Sequence, residues 1–345
     1  MVRKRTSYAR QISTWTYLAV GIAPYVAEAI IREHKYRAIR GDVLLLGRQT
    51  MQFSPQHAAD MIKAVGLVPA VLSDDDSVID RRTWKAEGQR YISDDAFFRL
   101  LGVPAIRALD HSGYEGAEII HDLNKPIPPD MENSADFILD GSTLDNLFSP
   151  ATAIQSVARM LRPGGRFLSV NSQSFDSDSY SLTNPYWFLD FFIVNRFTDC
   201  RVYATSHGNG GELNVYAVDP TARRDRAFRP LEVGGVVVFA EKGADSTWDA
   251  IPSQRFYSDA DEVEMRIAAG RRFLASSRPE LLLSIRPKPF SRLRQIENVL
   301  RAEHRTVEDF RLILADGQKV SAPATPALSI ARALYRFGKR WSGRR

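Results

Sequence analysis

Three carboxylates stand just after short apolar segments: Asp110 after Ala105–Leu109, Asp122 one residue beyond Ile119-Ile120, and Asp140 after Asp136–Leu139. An apolar run of that length reads as a buried strand. An acid at its end lies at the carboxyl edge of a parallel sheet, where doubly wound folds bind nucleosides. One carboxylate can accept hydrogen bonds from both vicinal hydroxyls of a ribose. Asp122-Leu123-Asn124 also makes a good turn by itself, because Asp and Asn side chains bond the backbone two residues on. Arg162-Pro-Gly-Gly-Arg-Phe-Leu-Ser-Val170 follows, and its Pro-Gly-Gly reads as the end of one helix and the turn into the next strand.

The elements that must position these acids alternate strand with helix. Val43–Leu46 is a buried strand, and Gly47-Arg48-Gln49-Thr50 is the loop behind it. Gly47 removes a side chain where backbone would approach a ligand. Ser54-Pro55 starts a helix running to Val65, with Ser as the cap and Pro in the first turn. Ser93 caps another that carries Phe97, Phe98, Leu100 and Leu101. Further helices are read at Ala151–Leu161 and Tyr186–Asn195, and further strands at Arg166–Val170, Cys200–Thr205 and Val233–Ala240. The pattern predicts an α/β fold: a doubly wound, mostly parallel, seven-stranded sheet with an N-terminal helix and a helical C-terminal extension. The expected organisation is a basic segment and packing helix at 1–40 and a core domain at 41–245, with 66–93 as an inserted loop. A helical extension at 246–320 and a basic linker and tail at 321–345 complete it.

Charge is unevenly spread. The chain has 345 residues and net charge +5, but residues 1–10 carry +4 and residues 321–345 carry +6 without an acid, so the remainder is −5. A mildly acidic body argues against nucleic acid as substrate, since phosphate contacts need a basic face. The acidic run Asp74–Asp76 reads as solvated rather than metal-binding. The single Cys200 excludes an internal disulfide and a Cys-based zinc site, and reads as a packed thiol. Trp15–Ile31 imitates a signal peptide, yet Ile22, Tyr25, Val26, Ala29 and Ile30 recur at helical spacing, which favours a helix packed on a domain. In the tail, Leu328, Ile330, Ala331, Leu334, Tyr335, Phe337 and Trp341 interleave with cations. That is the pattern of an amphipathic helix for an anionic membrane surface or acidic partner, or of a charged terminus.

With these landmarks in order, residues 41–245 resemble the class I S-adenosylmethionine-dependent methyltransferases, of the bacterial methyltransferase-like kind linked to surface-polysaccharide or glycan pathways. The resemblance implies that the first strand and its glycine loop hold the methionine part of the cofactor. The acid after the second strand takes the ribose hydroxyls, the acidic position after the third sits near the adenine, and the fourth strand leads to the acceptor. It assigns Gly47, Arg48, Gln49, Asp110, His111, Asp122, Leu123, Asp140 and Gly141 to S-adenosylmethionine. Where the family has an acid and spaced glycines, this chain has Leu45 and Gly47 alone: either Arg48 and Gln49 meet the cofactor's carboxylate and amino group in a variant loop, or the cofactor site has decayed and the scaffold binds something else. Gly-x-Gly-x-x-Gly is absent, which disfavours a dinucleotide enzyme.

On the acceptor side the resemblance points to Thr143, Asp145, Asn146, Tyr180, Asn184 and Tyr186, with Asp140 and His207 as catalytic candidates. His207 is read in a loop after a strand, either as a base over the pocket or simply exposed. The expected activity is methyl transfer, with O-methylation of a small-molecule or glycan-linked acceptor. The tails would dock a cytoplasmic enzyme peripherally at the inner membrane surface. The alternative is a catalytically silent methyltransferase-like scaffold in a glycan-assembly complex.

Overall fold

The computed structural model describes residues 21–72, 76–172, 179–207, 213–221, 234–255 and 257–279. Its elements in chain order are α1 (Pro24–Tyr36), β1 (Val43–Leu46), α2 (Pro55–Ala64), α3 (Asp94–Leu100), β2 (Arg107–Asp110), β3 (Ile119–Ile120) and β4 (Ala135–Gly141). They continue with α4 (Pro150–Met160), β5 (Leu161–Ser172), α5 (Pro185–Val194), β6 (Asp199–His207), β7 (Leu213–Ala217), β8 (Gly234–Glu241) and α6 (Ala260–Ala275).

Among the described residues one eight-stranded sheet has the order β3-β2-β1-β4-β5-β8-β6-β7. The ladders from β3 through β5 are parallel, while β8 runs antiparallel to both β5 and β6. The order turns back between β1 and β4. That is the topological switch point of a doubly wound sheet, and ligands of such sheets bind at the carboxyl ends flanking it. The count of eight corrects the expected seven: β6 runs on to His207 and pairs with β7, an edge strand not read in the sequence.

Alternation along the strands sorts the core into two layers. Val43, Leu45, Ala108, Phe137 and Leu139 face α1, α2 and α3. Leu44, Leu46, Leu109 and Ile138 face α4, α5 and α6. Local signals set the helix starts. The Ser54 hydroxyl accepts from the His57 N–H at 3.2 Å, and Ser93 accepts from the Ala96 N–H at 3.2 Å. Pro163-Gly164-Gly165 departs from its expected role. Leu161 already pairs with Ala135, and Gly164 and Gly165 exchange backbone bonds with Lys242, so the turn is absorbed into β5 as an irregularity.

Residues 76–92 are less irregular than an inserted loop. They hold short helical turns and an Ile79–Ile92 bridge, and Thr83 bonds Thr50 at 2.7 Å, which draws the segment over the end of β1. Segment 74–75, the expected helices beyond residue 279 and the basic tails lie outside the described residues. Cys200 is buried, and burial pushes its thiol well above the usual range, as befits a packed side chain. Among the described residues no helix is long and apolar enough to cross a membrane.

Candidate functional site

The crevice between the ends of β1 and β4 begins at Gly47. Its φ of +73° is a left-handed conformation that glycine adopts without a Cβ penalty. A Cβ there would lie 3.5 Å from Asp110 Oδ2 and 3.6 Å from Thr143 Oγ1, so Asp110 and Thr143 converge on bare backbone. Asp110 is half-buried. Its Oδ1 accepts from Ser112 N–H at 3.2 Å and lies 2.7 Å from His111 Nδ1, while the His111 ring stands mostly in solvent. The Thr143 hydroxyl donates to Leu46 O at 2.6 Å, lashing the turn after β4 to the end of β1.

Gln49 lies inside this crevice rather than beside it. Its side chain is buried, and Nε2 donates to Leu46 O at 2.9 Å and to Gly47 O at 3.3 Å. Two carbonyl acceptors fix which end of the amide is nitrogen. The other end, Oε1, presses on Gly141, where a Cβ would stand 2.1 Å from it. Ile22 closes the same spot from the chain entering α1, with Cδ1 3.0 Å from that position, and bridges to Met51.

Arg48 points elsewhere. Its guanidinium is buried among Asp94 at 3.4 Å, Asp95 at 3.7 Å and Glu118, and it donates to Gly116 O at 3.3 Å. Arg82, from the segment over β1, adds a second cation to Asp94 and Asp95. Burial raises the Asp94 carboxyl against the pull of Arg48. The cation expected to meet a cofactor carboxylate is therefore already held by carboxylates of the chain.

Asp140 departs most from expectation. It is the penultimate residue of β4 and alternates with Leu139, so it faces α4 and α5, whereas Asp110 faces the α1–α3 layer. The two acids thus lie on opposite faces of the sheet and do not frame one ligand. Asp140 is 0% exposed. Oδ1 accepts from Thr143 N–H at 2.7 Å and Leu144 N–H at 3.3 Å, and Oδ2 from Ser169 Oγ at 2.7 Å and Asn171 Nδ2 at 2.8 Å. Burial outweighs these donors and lifts its pKa to about 6. Closed in on every oxygen, it cannot touch a reacting atom; it shapes the turn that carries Thr143.

Asp145 completes the network. Its N–H donates to Asn171 Oδ1 at 3.0 Å, its carboxylate accepts from Ser172 N–H at 2.7 Å and from the Ser142 hydroxyl, and burial raises it too. Ser142 sits at φ +73°, unusual for a residue with a Cβ. Sequence reasoning missed Ser142, Ser169, Asn171 and Ser172. The available signal was Ser169 and Asn171, polar side chains recurring on one face of a strand that otherwise reads as apolar.

Of the remaining candidates, Asn146 belongs to the turn after β4, and Asp122 and Asn184 bond within their own segments. Asp122 accepts from Asn124 N–H and Nδ2, both at 3.0 Å, which lowers its carboxyl, and Leu123 is buried in the core. Asn146 donates to Ser142 O at 2.6 Å. Asn184 caps α5 by accepting from Tyr186 N–H at 2.9 Å, and Arg255 stacks 4.0 Å over the Tyr186 ring. Tyr180 is 77% exposed and meets Phe148, 84% exposed, edge to face at 6.4 Å; Phe148 was not foreseen. His207 ends β6 rather than occupying a loop, paired with Leu213. It stands at the carboxyl edge but three strands from β4, on the order of 14 Å across the sheet.

No protein-family model matches the sequence, and no curated protein matches it. Solved structures to which the chain is similar include a Methanococcus maripaludis protein assigned to the S-adenosyl-L-methionine-dependent methyltransferases. It is 17% identical, with 42% of this chain and 53% of that one covered and a TM-score of 0.25. Another is the CMeT domain of the citrinin polyketide synthase, at 11% identity, 64% and 52% coverage and TM-score 0.33. A third is the Burkholderia thailandensis 1,6-didemethyltoxoflavin-N1-methyltransferase with bound S-adenosylhomocysteine, at 15% identity, 64% and 79% coverage and TM-score 0.25. The chain spans about half the length of the first two. At TM-scores this low the likenesses carry no inference about ligand or reaction.

Proposed function

We propose that this chain is an S-adenosylmethionine-dependent methyltransferase acting on a small-molecule or glycan-linked acceptor, with a hydroxyl as the methylated group. The observation that carries this reading is the bare backbone of Gly47 at the switch point, with the Asp110 carboxylate beside it. A carboxylate oxygen over backbone without a Cβ fits the nucleoside end of such a cofactor. Asp110 would accept from the ribose hydroxyls, with His111 and Asp122 on the adenine side and Leu123 anchoring that turn in the core. Thr143, Asn146, Tyr180 and Asn184 would line the acceptor side, where the exposed Tyr180 and Phe148 rings suit a sugar or planar group.

When bound, the cofactor supplies an electrophilic methyl group on a sulfonium. The protein's share is then chiefly positioning, which can supply most of the acceleration of an in-line displacement. Asp140 contributes by holding Thr143, not as a base. His207 is the base candidate at the sheet edge, needed only where the acceptor loses its proton during attack. In this reading residues 41–245 form the transferase domain, 1–40 and 246–320 flank it, and the basic termini, 321–345 above all, dock it on an anionic surface on the cytoplasmic side.

Calorimetry of the full chain with S-adenosylhomocysteine tests the proposal. Binding is expected, and Asp110→Ala should weaken it by about 1–3 kcal/mol, the scale of a lost charge-assisted hydrogen bond. Absence of binding at millimolar ligand would end the enzyme reading. A second reading, a silent scaffold, is favoured by one observation: Gln49 fills the crevice and Arg48 is already neutralised. The same titration separates the two.

A further inference from the structure

We infer that Gln49 is a gate over the switch-point crevice: its side chain occupies the space at Gly141 in the free protein and must leave for a ligand to reach the ends of β1 and β4. The inference rests on the cofactor reading above and adds the residue that controls access to the site. Three observations carry it. First, the Gln49 side chain is placed by bonds to the end of β1 and to its own loop, Leu46 O and Gly47 O. Second, its amide oxygen lies where even the smallest side chain at position 141 would stand, 2.1 Å from an added Cβ. Third, its departure does not orphan the strand end, because Leu46 O also accepts from Thr143 Oγ1 at 2.6 Å.

A side chain that fills a ligand crevice lowers the apparent affinity by the fraction of molecules in which it has moved aside. Gln49 therefore opposes binding, whereas a residue that held the ligand would favour it. The neighbouring chain makes the gate specific. Ile22 packs on the same Gly141 position from the entry to α1, so Gln49 is the polar, separately movable half of a two-part cover.

Two measurements on the full chain test this. In calorimetry, Gln49→Ala should bind S-adenosylhomocysteine roughly three- to tenfold more tightly than wild type, the gain when a site open in a third to a tenth of molecules becomes open in all. In a thermal-unfolding cycle, Gly141→Ala should lower the melting temperature of the wild-type chain more than that of the Gln49→Ala chain, because only the former must expel a side chain. Binding by wild type with equal or weaker binding by Gln49→Ala would overturn the gate and make Gln49 a ligand-holding residue, leaving the cofactor reading intact. No binding by either protein would remove the cofactor reading and the gate with it. Equal losses in the two arms of the thermal cycle would overturn the packing on which the gate depends, whatever the ligand.

Discussion

Two pairs of buried acids at opposite ends of one sheet, Glu33 with Asp199 and Asp140 with Asp145, are held in opposite ways. At the amino end, Glu33 on α1 meets Arg166 of β5 at 2.6 Å and also Arg278, which reaches Asp199 at the start of β6 at 2.5 Å. Arg278 stacks 4.7 Å from the Tyr36 ring, and Arg37 pairs with Glu241 at 2.9 Å. Acids there are matched by arginines that tie α1, three strands and the segment after α6 together. At the carboxyl end, Asp140 and Asp145 are buried as deeply but meet only hydroxyls, amides and backbone N–H groups. Neutral donors satisfy the geometry without cancelling the charge, so burial raises both carboxyls. Glu33 and Asp199 are locked by ion pairs, as Asp94 is by Arg48 and Arg82 over the end of β1, while Asp140 and Asp145 keep charge that pH or a neighbouring cation can still influence.

The strongest way to break this comparison is at the locked end. Glu33→Ala would leave Arg166 and Arg278 buried without their shared acid. Breaking a buried pair from one side typically costs about 3–5 kcal/mol. Urea unfolding should show a loss of that size, with binding of S-adenosylhomocysteine by the folded fraction unchanged because the mutation lies at the far end of the strands. A loss below about 1 kcal/mol would mean that the arginines find water or other acids, and that the amino end is no more rigid than the other.

Next in size is the pH dependence contributed by Asp140. Its folded pKa of about 6 lies above the ordinary 3.8, so the native state holds the proton more tightly than the unfolded chain. Its stabilising contribution is fully present below the unfolded value and is lost as pH rises through the folded one. Two units correspond to roughly 2–3 kcal/mol. Between pH 4 and pH 7 the wild-type chain should therefore lose on the order of 2–3 kcal/mol relative to Asp140→Asn, which cannot titrate, in urea unfolding at each pH. Parallel curves for the two proteins would show that the neutral donors hold the charge as well as arginines would.

The same contrast marks what the sequence could disclose. Short apolar runs, Ser54-Pro55 and the Ser93 cap announce an alternating α/β sheet, because propensity and capping are local. Which face an acid takes is decided by a period of two, and a shift of one residue reverses it. Asp110 and Asp140 both read as strand-end acids, yet β4 extends through Gly141 and the register pairs Asp140 with Leu46, so Asp140 takes the α4–α6 face and Asp110 the α1–α3 face. Arg48 was misplaced for a different reason. Its partners Asp94, Asp95 and Glu118 come from distant segments that only the tertiary fold assembles. His207 reads as a loop residue in the sequence because the β6–β7 pairing lies beside a glycine-rich stretch that hides the hairpin.

The smallest expected effect is the sharpest test of the carboxyl end as a binding edge. In Gly47→Ala the new Cβ would meet Asp110 Oδ2 at 3.5 Å and Thr143 Oγ1 at 3.6 Å, both ordinary contacts, so packing contributes little to the cost. The φ of +73° contributes nearly all of it, about 1–2 kcal/mol for an L-residue in the left-handed region. Thermal or urea unfolding should give that loss and no more. Binding provides a second, independent readout. If a ligand lies against the Gly47 backbone, the methyl group stands between it and the chain, and S-adenosylhomocysteine affinity should fall roughly tenfold, about 1.4 kcal/mol, in a protein that is still folded. Should stability fall as expected while affinity stays at the wild-type value, then Gly47 serves only the turn after β1. The binding edge would then reduce to Asp110, and the charge left uncompensated at this end would have to be explained by something other than a ligand at the switch point.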